Sequence, residues 1–217
     1  MKKENQRSLY VGVSLLIAFA IWTVLVRYVD VKAIGPLGSK VGFAALNQFV
    51  YELIGTNMWL YAVTDWLGLV PIAVVMCFAI LGLIQLIKRK SFLKVDYDIM
   101  VLGGCYLATM LVFALFEMLA VNYRPVLING HLEASYPSST TMLVVCVMPT
   151  ALMQLNCRIK NQKLKRFISL VITAFIAFVV IGRLLSGVHW ITDIIGGALL
   201  SAGLVCLYRF AVNVKLK

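Results

Sequence analysis

Six long runs of apolar residues limit what this chain can fold into. A helix that crosses a bilayer needs about 20 mostly apolar residues, because the hydrocarbon layer is about 30 Å thick. The runs are Ser8 to Val26, Trp66 to Ile87, Ile99 to Ala120, Ser138 to Cys157, Phe167 to Leu185 and His189 to Tyr208. Over the whole chain 62% of residues are hydrophobic, only 13% are charged, and the mean hydropathy is +0.93. One soluble domain of 217 residues could not bury so much apolar surface, and a disordered chain would not contain it. The expected fold is all-α: a single polytopic membrane domain spanning residues 1–217, with six transmembrane helices. The first run is too long for a cleaved signal peptide, and no small-residue cleavage site follows it.

The net charge of +11 would suggest nucleic acid in a soluble protein. Here the positions of the charges argue otherwise. Six spans separate the loops into two groups. One group, which includes both termini, Lys88-Arg89-Lys90, Lys94 and the Arg158 to Arg166 loop, carries 15 of the 20 Lys and Arg residues, with Lys215 and Lys217 among them. The other group carries Arg27, Lys32, Lys40, Arg124 and Arg183. The positive-inside rule then puts both termini in the cytoplasm and the second group outside, in a cell membrane. The basic loops set topology and touch anionic headgroups, and nucleic acid is not an expected partner.

From Val31 to Asp65 no window is long and apolar enough to span. Gly35-Pro36-Leu37-Gly38 breaks the chain, and an amphipathic helix lying on the outer interface is expected beyond it. The five cysteines (Cys77, Cys105, Cys146, Cys157 and Cys206) form no CxxC pair and no ligand cluster with His. They read as buried free thiols, and neither a metal nor another cofactor is implied.

Ionisable groups inside membrane spans are costly, by roughly 2.5–3.5 kcal/mol each on insertion scales, and mark functional sites. Four segments bring such groups to the same, outward end of the bundle. Arg124-Pro125 follows the third span, Tyr136-Pro137-Ser138-Ser139-Thr140-Thr141 opens the fourth, Arg183 ends the fifth, and His189 and Asp193 open the sixth. His189 and Asp193, four apart, share a helix face. A carboxylate there can fix the imidazole tautomer and leave the other ring nitrogen free as a nucleophile. With Ser186-Gly187 between them, Arg183 is expected to fold back over His189. Two guanidinium forks suit a phosphoryl group, and the start of the fourth span adds free backbone N–H groups. Each feature alone has a plain structural reading, as a cap, a snorkelling arginine or a helix-end contact. Their convergence is what favours a site. A transporter would place its polar groups nearer the bilayer midplane.

The pattern resembles the membrane-bound type-2 phosphatidic acid phosphatases, relatives of the vanadium haloperoxidases. That family's third motif, Ser-Arg, five residues, His, three residues, Asp, is matched by Arg183, His189 and Asp193, with Gly182 in place of the Ser. Its second motif, Pro-Ser-Gly-His, reads Pro137-Ser138-Ser139-Thr140. Its first, Lys, six residues, Arg-Pro, retains Arg124-Pro125 with Glu117 at the Lys position. The resemblance implies a hydrolase of lipid phosphates or prenyl diphosphates acting through a phosphohistidine on His189, without a metal. It implies Asp193 as the orienting partner and Arg124, Arg183, Ser138 and Ser139 as phosphate ligands. Thr140 falls at the position of the leaving-group acid. Glu117 or His131 are auxiliary candidates for that proton. The alternative expectation is a catalytically weakened relative that binds lipid phosphates without efficient turnover.

Overall fold

The computed structural model describes residues 2–215, so Lys217 of the basic terminus lies outside the described residues. Among the described residues eight α-helices follow one another: α1 (Lys2–Tyr28), α2 (Ala44–Ile54), α3 (Met58–Leu67), α4 (Leu69–Arg89), α5 (Tyr97–Leu119), α6 (Ser139–Arg158), α7 (Gln162–Leu185) and α8 (Ile191–Lys215). Among the described residues, six helical segments are long and apolar enough to cross a membrane: Lys3–Tyr28, Met58–Arg89, Tyr97–Leu119, Ser139–Arg158, Gln162–Leu185 and Ile191–Val214. The all-α, six-span expectation is thus borne out, and the chain is a multi-pass membrane protein.

The helices differ in how much they bury. More than half of the apolar window of α6, 56%, and half of that of α8 are buried inside the protein, against 6% for Met58–Arg89. Helices α6 and α8 therefore form the centre, and α4 presents its side chains to the surroundings. In lipid there is little hydrophobic drive between helices, so close backbone approach matters more. Gly12 of α1 and Gly203 of α8 supply it: a β-carbon at 203 would lie 2.8 Å from Leu16 Cδ2 and 3.3 Å from the Gly12 carbonyl. At one end of the bundle Phe19, Phe116 and Tyr136 pack their rings, with Phe19 and Tyr136 stacked at 6.3 Å. At the other end Arg89 reaches Asp96 at 2.7 Å and Arg158 reaches Asp98 at 3.2 Å. The Arg89 contact holds the Asp96 carboxyl below the usual carboxylate range.

The segment before the second span departs from expectation. It holds two helices instead of one interfacial helix. Helix α2 is amphipathic, with Phe49 and Leu53 exposed. Its Asn47 is buried, however, and donates to Thr192 Oγ1 at 3.0 Å, which pins α2 to the start of α8. Helix α3 runs almost directly into α4 through Gly68, so the second span begins at Met58 and not at Trp66. The Asn57 side chain sets that start by accepting from Leu60 N at 2.9 Å, one of the donors a helix start leaves free. The cysteine expectation also needs correction. Cys146 is buried, but Cys77 and Cys157 are exposed on outward faces of α4 and α6, because a spanning helix turns apolar residues to lipid as well as to the core.

Candidate active site

The ends of α5 and α7 and the starts of α6 and α8 meet at one end of the bundle. Arg183 sits in the last turn of α7, with its side chain 1% exposed. The chain then turns at Gly187, whose φ of +65° few residues other than glycine adopt. A β-carbon there would lie 1.9 Å from the Gly55 carbonyl oxygen. This tight turn returns His189 to Arg183, and Arg183 Nη2 stands 3.2 Å from His189 Nε2. A guanidinium can only donate. Nε2 therefore accepts, and the ring proton belongs on Nδ1.

Asp193 is fully buried in the first turn of α8. Its Oδ2 accepts from Trp190 N at 3.0 Å and lies 3.7 Å from His189 Nδ1. That separation places the carboxylate beside the imidazole, although it exceeds an ordinary hydrogen bond. Asn122 Nδ2 approaches Asp193 Oδ1 at 3.5 Å, and Asn122 Oδ1 accepts from Gly42 N at 3.2 Å. Trp190 Nε1 donates to Tyr123 O at 2.7 Å. These bonds tie the start of α8 to the loop that follows α5.

That loop turns back at Asn129-Gly130, both with positive φ, so Ile128 and His131 pair. Its two arms run side by side, and Arg124 N donates to Glu133 O at 3.0 Å. The Arg124 side chain is buried, with Nε 3.1 Å from the Glu133 carboxylate.

A polar cavity of about 110 Å³ is lined by Glu117, Arg124, Ser135, Ser139 and His189, with Phe113, Phe116 and Tyr136 at its walls. Seven buried side-chain N or O atoms lack a hydrogen-bond partner among the described residues. Five of them lie at this end of the bundle: Arg124 Nε, which makes no hydrogen bond but is ion-paired with Glu133, and Arg124 Nη1, Arg183 Nε, Ser135 Oγ and His189 Nδ1. Buried donors without partners are rare, and each calls for an explanation. Guanidinium donors around a polar cavity are suited to an anion.

Not every residue expected at the site lines this cavity. Ser139 does. The Ser138 hydroxyl instead accepts from Thr141 Oγ1 at 3.1 Å, and Ser138 N donates to the Asp193 carbonyl at 3.1 Å. Thr140 is buried away from the cavity, with its methyl group facing Gly68. His131 is exposed at the tip of the turned loop. Glu117 lies on the cavity wall. The two Gly-Gly steps of the sequence signal nothing by themselves, but Gly196 and Gly197 let Tyr136 and Ser138 rest on α8: a β-carbon at 196 would meet the Tyr136 ring at 2.6 Å.

Helix α3 contributes two residues that sequence reasoning missed. Both guanidinium groups lie over the Tyr61 ring, Arg183 at 4.9 Å and Arg124 at 5.9 Å. Asp65, one turn on, pairs with Arg183 Nη1 at 3.4 Å. Helix α3 reaches this position because residue 182 is glycine, since a β-carbon there would stand 2.7 Å from Thr64 Cγ2. The departure from Ser at that motif position thus has a local steric cause. The one sequence signal was Asp65 itself, a carboxylate at the edge of an apolar run. Among the described residues no group of three or more His, Cys, Asp or Glu side chains is placed to hold a metal ion.

This is a six-span helical membrane protein whose polar residues converge at one end of the bundle. A family model described as the PAP2 superfamily matches residues 119–215, from the end of α5 to the end of α8. The fold is similar to that of a solved structure described as the first transmembrane PAP2 type phosphatidylglycerolphosphate phosphatase from Bacillus subtilis. The TM-score is 0.67 and the identity 20%, over 96% of this chain and 98% of that chain. No curated protein matches in sequence. The superfamily model thus matches the part of the chain that carries most of the motif residues, and the fold is similar to that of the solved structure.

Proposed function

We propose that the protein, as a single six-span unit, hydrolyses a phosphate monoester or diphosphate on a membrane lipid in two steps through a phosphohistidine on His189. The observation that carries this reading is a polar cavity lined by Arg124 and His189, with Arg124 Nη1 unpartnered and Arg183, whose Nε is also unpartnered, against the His189 ring. The lipid part of the reading is supported by a neighbouring cavity of about 470 Å³ between α4, α5 and α6, lined largely by apolar side chains. Phe113 and Ser139 line both cavities, so a headgroup among the arginines can extend a hydrocarbon chain into apolar space.

In the first step Nε2 attacks phosphorus, the N–P bond forms, and the bond to the lipid oxygen breaks. The incoming phosphoryl group replaces Nε2 as the acceptor for Arg183. Arg124 and Arg183 bind its oxygens where charge develops. Asp193, beside Nδ1–H, stabilises the positive imidazole. In the second step water attacks phosphorus, the N–P bond breaks, and inorganic phosphate leaves. The leaving lipid oxygen needs a proton. Glu117 is the carboxyl group on the cavity wall, and in this scheme it donates that proton and later takes one from the attacking water. Thr140, buried outside the cavity, plays no direct part. The charge bias of the loops supports cytoplasmic termini and an extracytoplasmic site.

Thr140 at the family's acid position favours a second reading, a lipid-phosphate binder with weak turnover. Leaving-group dependence separates the two. General-acid help is worth about 10²–10⁴-fold for a poor leaving group. Glu117→Gln should therefore slow release of an alkoxide from a lipid monophosphate by roughly 10²-fold or more. In the first turnover, before hydrolysis of the phosphohistidine limits the rate, it should leave release of p-nitrophenolate from p-nitrophenyl phosphate within a few-fold of wild type. An equal loss on both substrates would remove Glu117 from the role of acid. Absence of phosphate release by the wild type from both lipid monophosphates and prenyl diphosphates would favour the binder.

A further inference from the structure

Buried in one site, two guanidinium groups repel each other, and nothing in the phosphatase motifs explains what keeps both in place without an anion. Asp65 accounts for one Arg183 nitrogen from an exposed position, at 3.4 Å, and Glu133 accounts for Arg124 Nε at 3.1 Å. Neither carboxylate touches both arginines. Tyr61 does, since its ring lies 4.9 Å from the Arg183 guanidinium carbon and 5.9 Å from that of Arg124. Both distances fall within the reach of the attraction between a cation and the negative face of an aromatic ring.

An aromatic ring has a further property that a carboxylate lacks. It attracts a guanidinium by its face without occupying the in-plane N–H donors. Those donors remain free, as the unpartnered Arg183 Nε and Arg124 Nη1 illustrate. A carboxylate in the same place would satisfy them and compete with phosphate. The ring is held from behind by α3, whose start is tied to the α7–α8 turn through Asn57 N donating to Ser186 O at 2.9 Å. The distance from ring to arginines is thus fixed to the turn that positions His189. Tyr61 lies outside residues 119–215, the part of the chain matched by the superfamily.

We propose that Tyr61 is a positioning residue that holds Arg124 and Arg183 together over one aromatic face, with their N–H donors free to grip the phosphate of a lipid phosphate. The proposal rests on the anion-binding part of the function above and does not require turnover.

The test compares wild type, Tyr61→Phe and Tyr61→Leu in detergent. Binding of a short-chain diacylglycerol phosphate is measured by titration calorimetry, phosphate release is measured on the same preparations, and thermal unfolding reports whether each variant is folded. Tyr61→Phe keeps the ring and should bind within about threefold of wild type. Tyr61→Leu keeps apolar bulk without the ring face. It should bind roughly tenfold or more weakly while unfolding near the wild-type temperature, as expected for the loss of two cation–π contacts. A folded Tyr61→Leu that binds as wild type does overturns the proposal, and so does a Tyr61→Phe that loses as much as Tyr61→Leu, which would assign the role to the hydroxyl. If Tyr61→Leu unfolds early, Tyr61→Trp decides, because it restores a ring face and should restore binding; weak binding by a folded Tyr61→Trp overturns the proposal. Wild-type binding without turnover contradicts hydrolysis alone. A wild type that binds no lipid phosphate contradicts both readings.

Discussion

Arg183→Ala should lower phosphate release from a lipid phosphate by about 10²–10³-fold, the usual loss when one pre-positioned donor to a developing oxyanion is removed. Arg183 is the most buried of the candidate cations, with 1% of its side chain exposed. Its donors reach His189 Nε2 at 3.2 Å and Asp65 at 3.4 Å, and Nε has no partner. The side chain therefore touches both His189 and the α3 helix. In the proposed mechanism its replacement removes a phosphate ligand and also frees the imidazole to turn. Arg183→Lys should recover only part of the loss, because an ammonium cannot present the planar fork. Both variants should show weaker inhibition by orthovanadate, measured as a rise in its inhibition constant parallel to the loss of rate. A variant with wild-type rate would remove Arg183 from the site.

Gly187→Ala should be strongly damaging to both fold and activity. Three effects coincide. The φ of +65° disfavours any side chain, at roughly 1–2 kcal/mol. The new methyl group would stand 1.9 Å from the Gly55 carbonyl oxygen and 2.9 Å from its carbon. Those are backbone atoms that cannot swing aside, and overpacking of this kind typically adds about 1–3 kcal/mol. Finally, the turn must open between Arg183 and His189, and a misplacement of about 1 Å at a reacting group can cost about 10²-fold. Thermal unfolding in detergent should shift down by several degrees, and activity should fall further than the folded fraction does. Gly103→Ala is the control: it lies within α5 with nothing within 4 Å of the new carbon, and it should fold and turn over as wild type does.

The spans were legible in the sequence because apolar length alone signals them. The exception, the region before α4, is informative. Tyr61, Thr64 and Asp65 lower the hydropathy of α3 enough to hide it, yet these polar residues are what bring it to the arginines. Only the Asn57 cap marks its start. The closeness of Arg183 to His189 was legible because both flank one short turn. The supports from Asn47, Asn122 and Tyr61 were not, since each arrives from a distant segment without a local pattern. The choice among Ser138, Ser139 and Thr140 was also beyond the sequence. Successive helix residues point about 100° apart, so the rotation of α6 decides which of them meets the cavity, and that rotation is set by tertiary packing against α8.

The covalent role of His189 is the centre of this account. The most direct test is a single-turnover reaction with a ³²P-labelled lipid monophosphate, quenched in alkali, where phosphohistidine survives. The wild type should carry label on the protein during the first turnover, and His189→Ala should carry none and release no phosphate. A wild type that releases labelled phosphate with no label on the protein, or a His189→Ala protein that remains labelled, would contradict the assignment of His189 as the nucleophile.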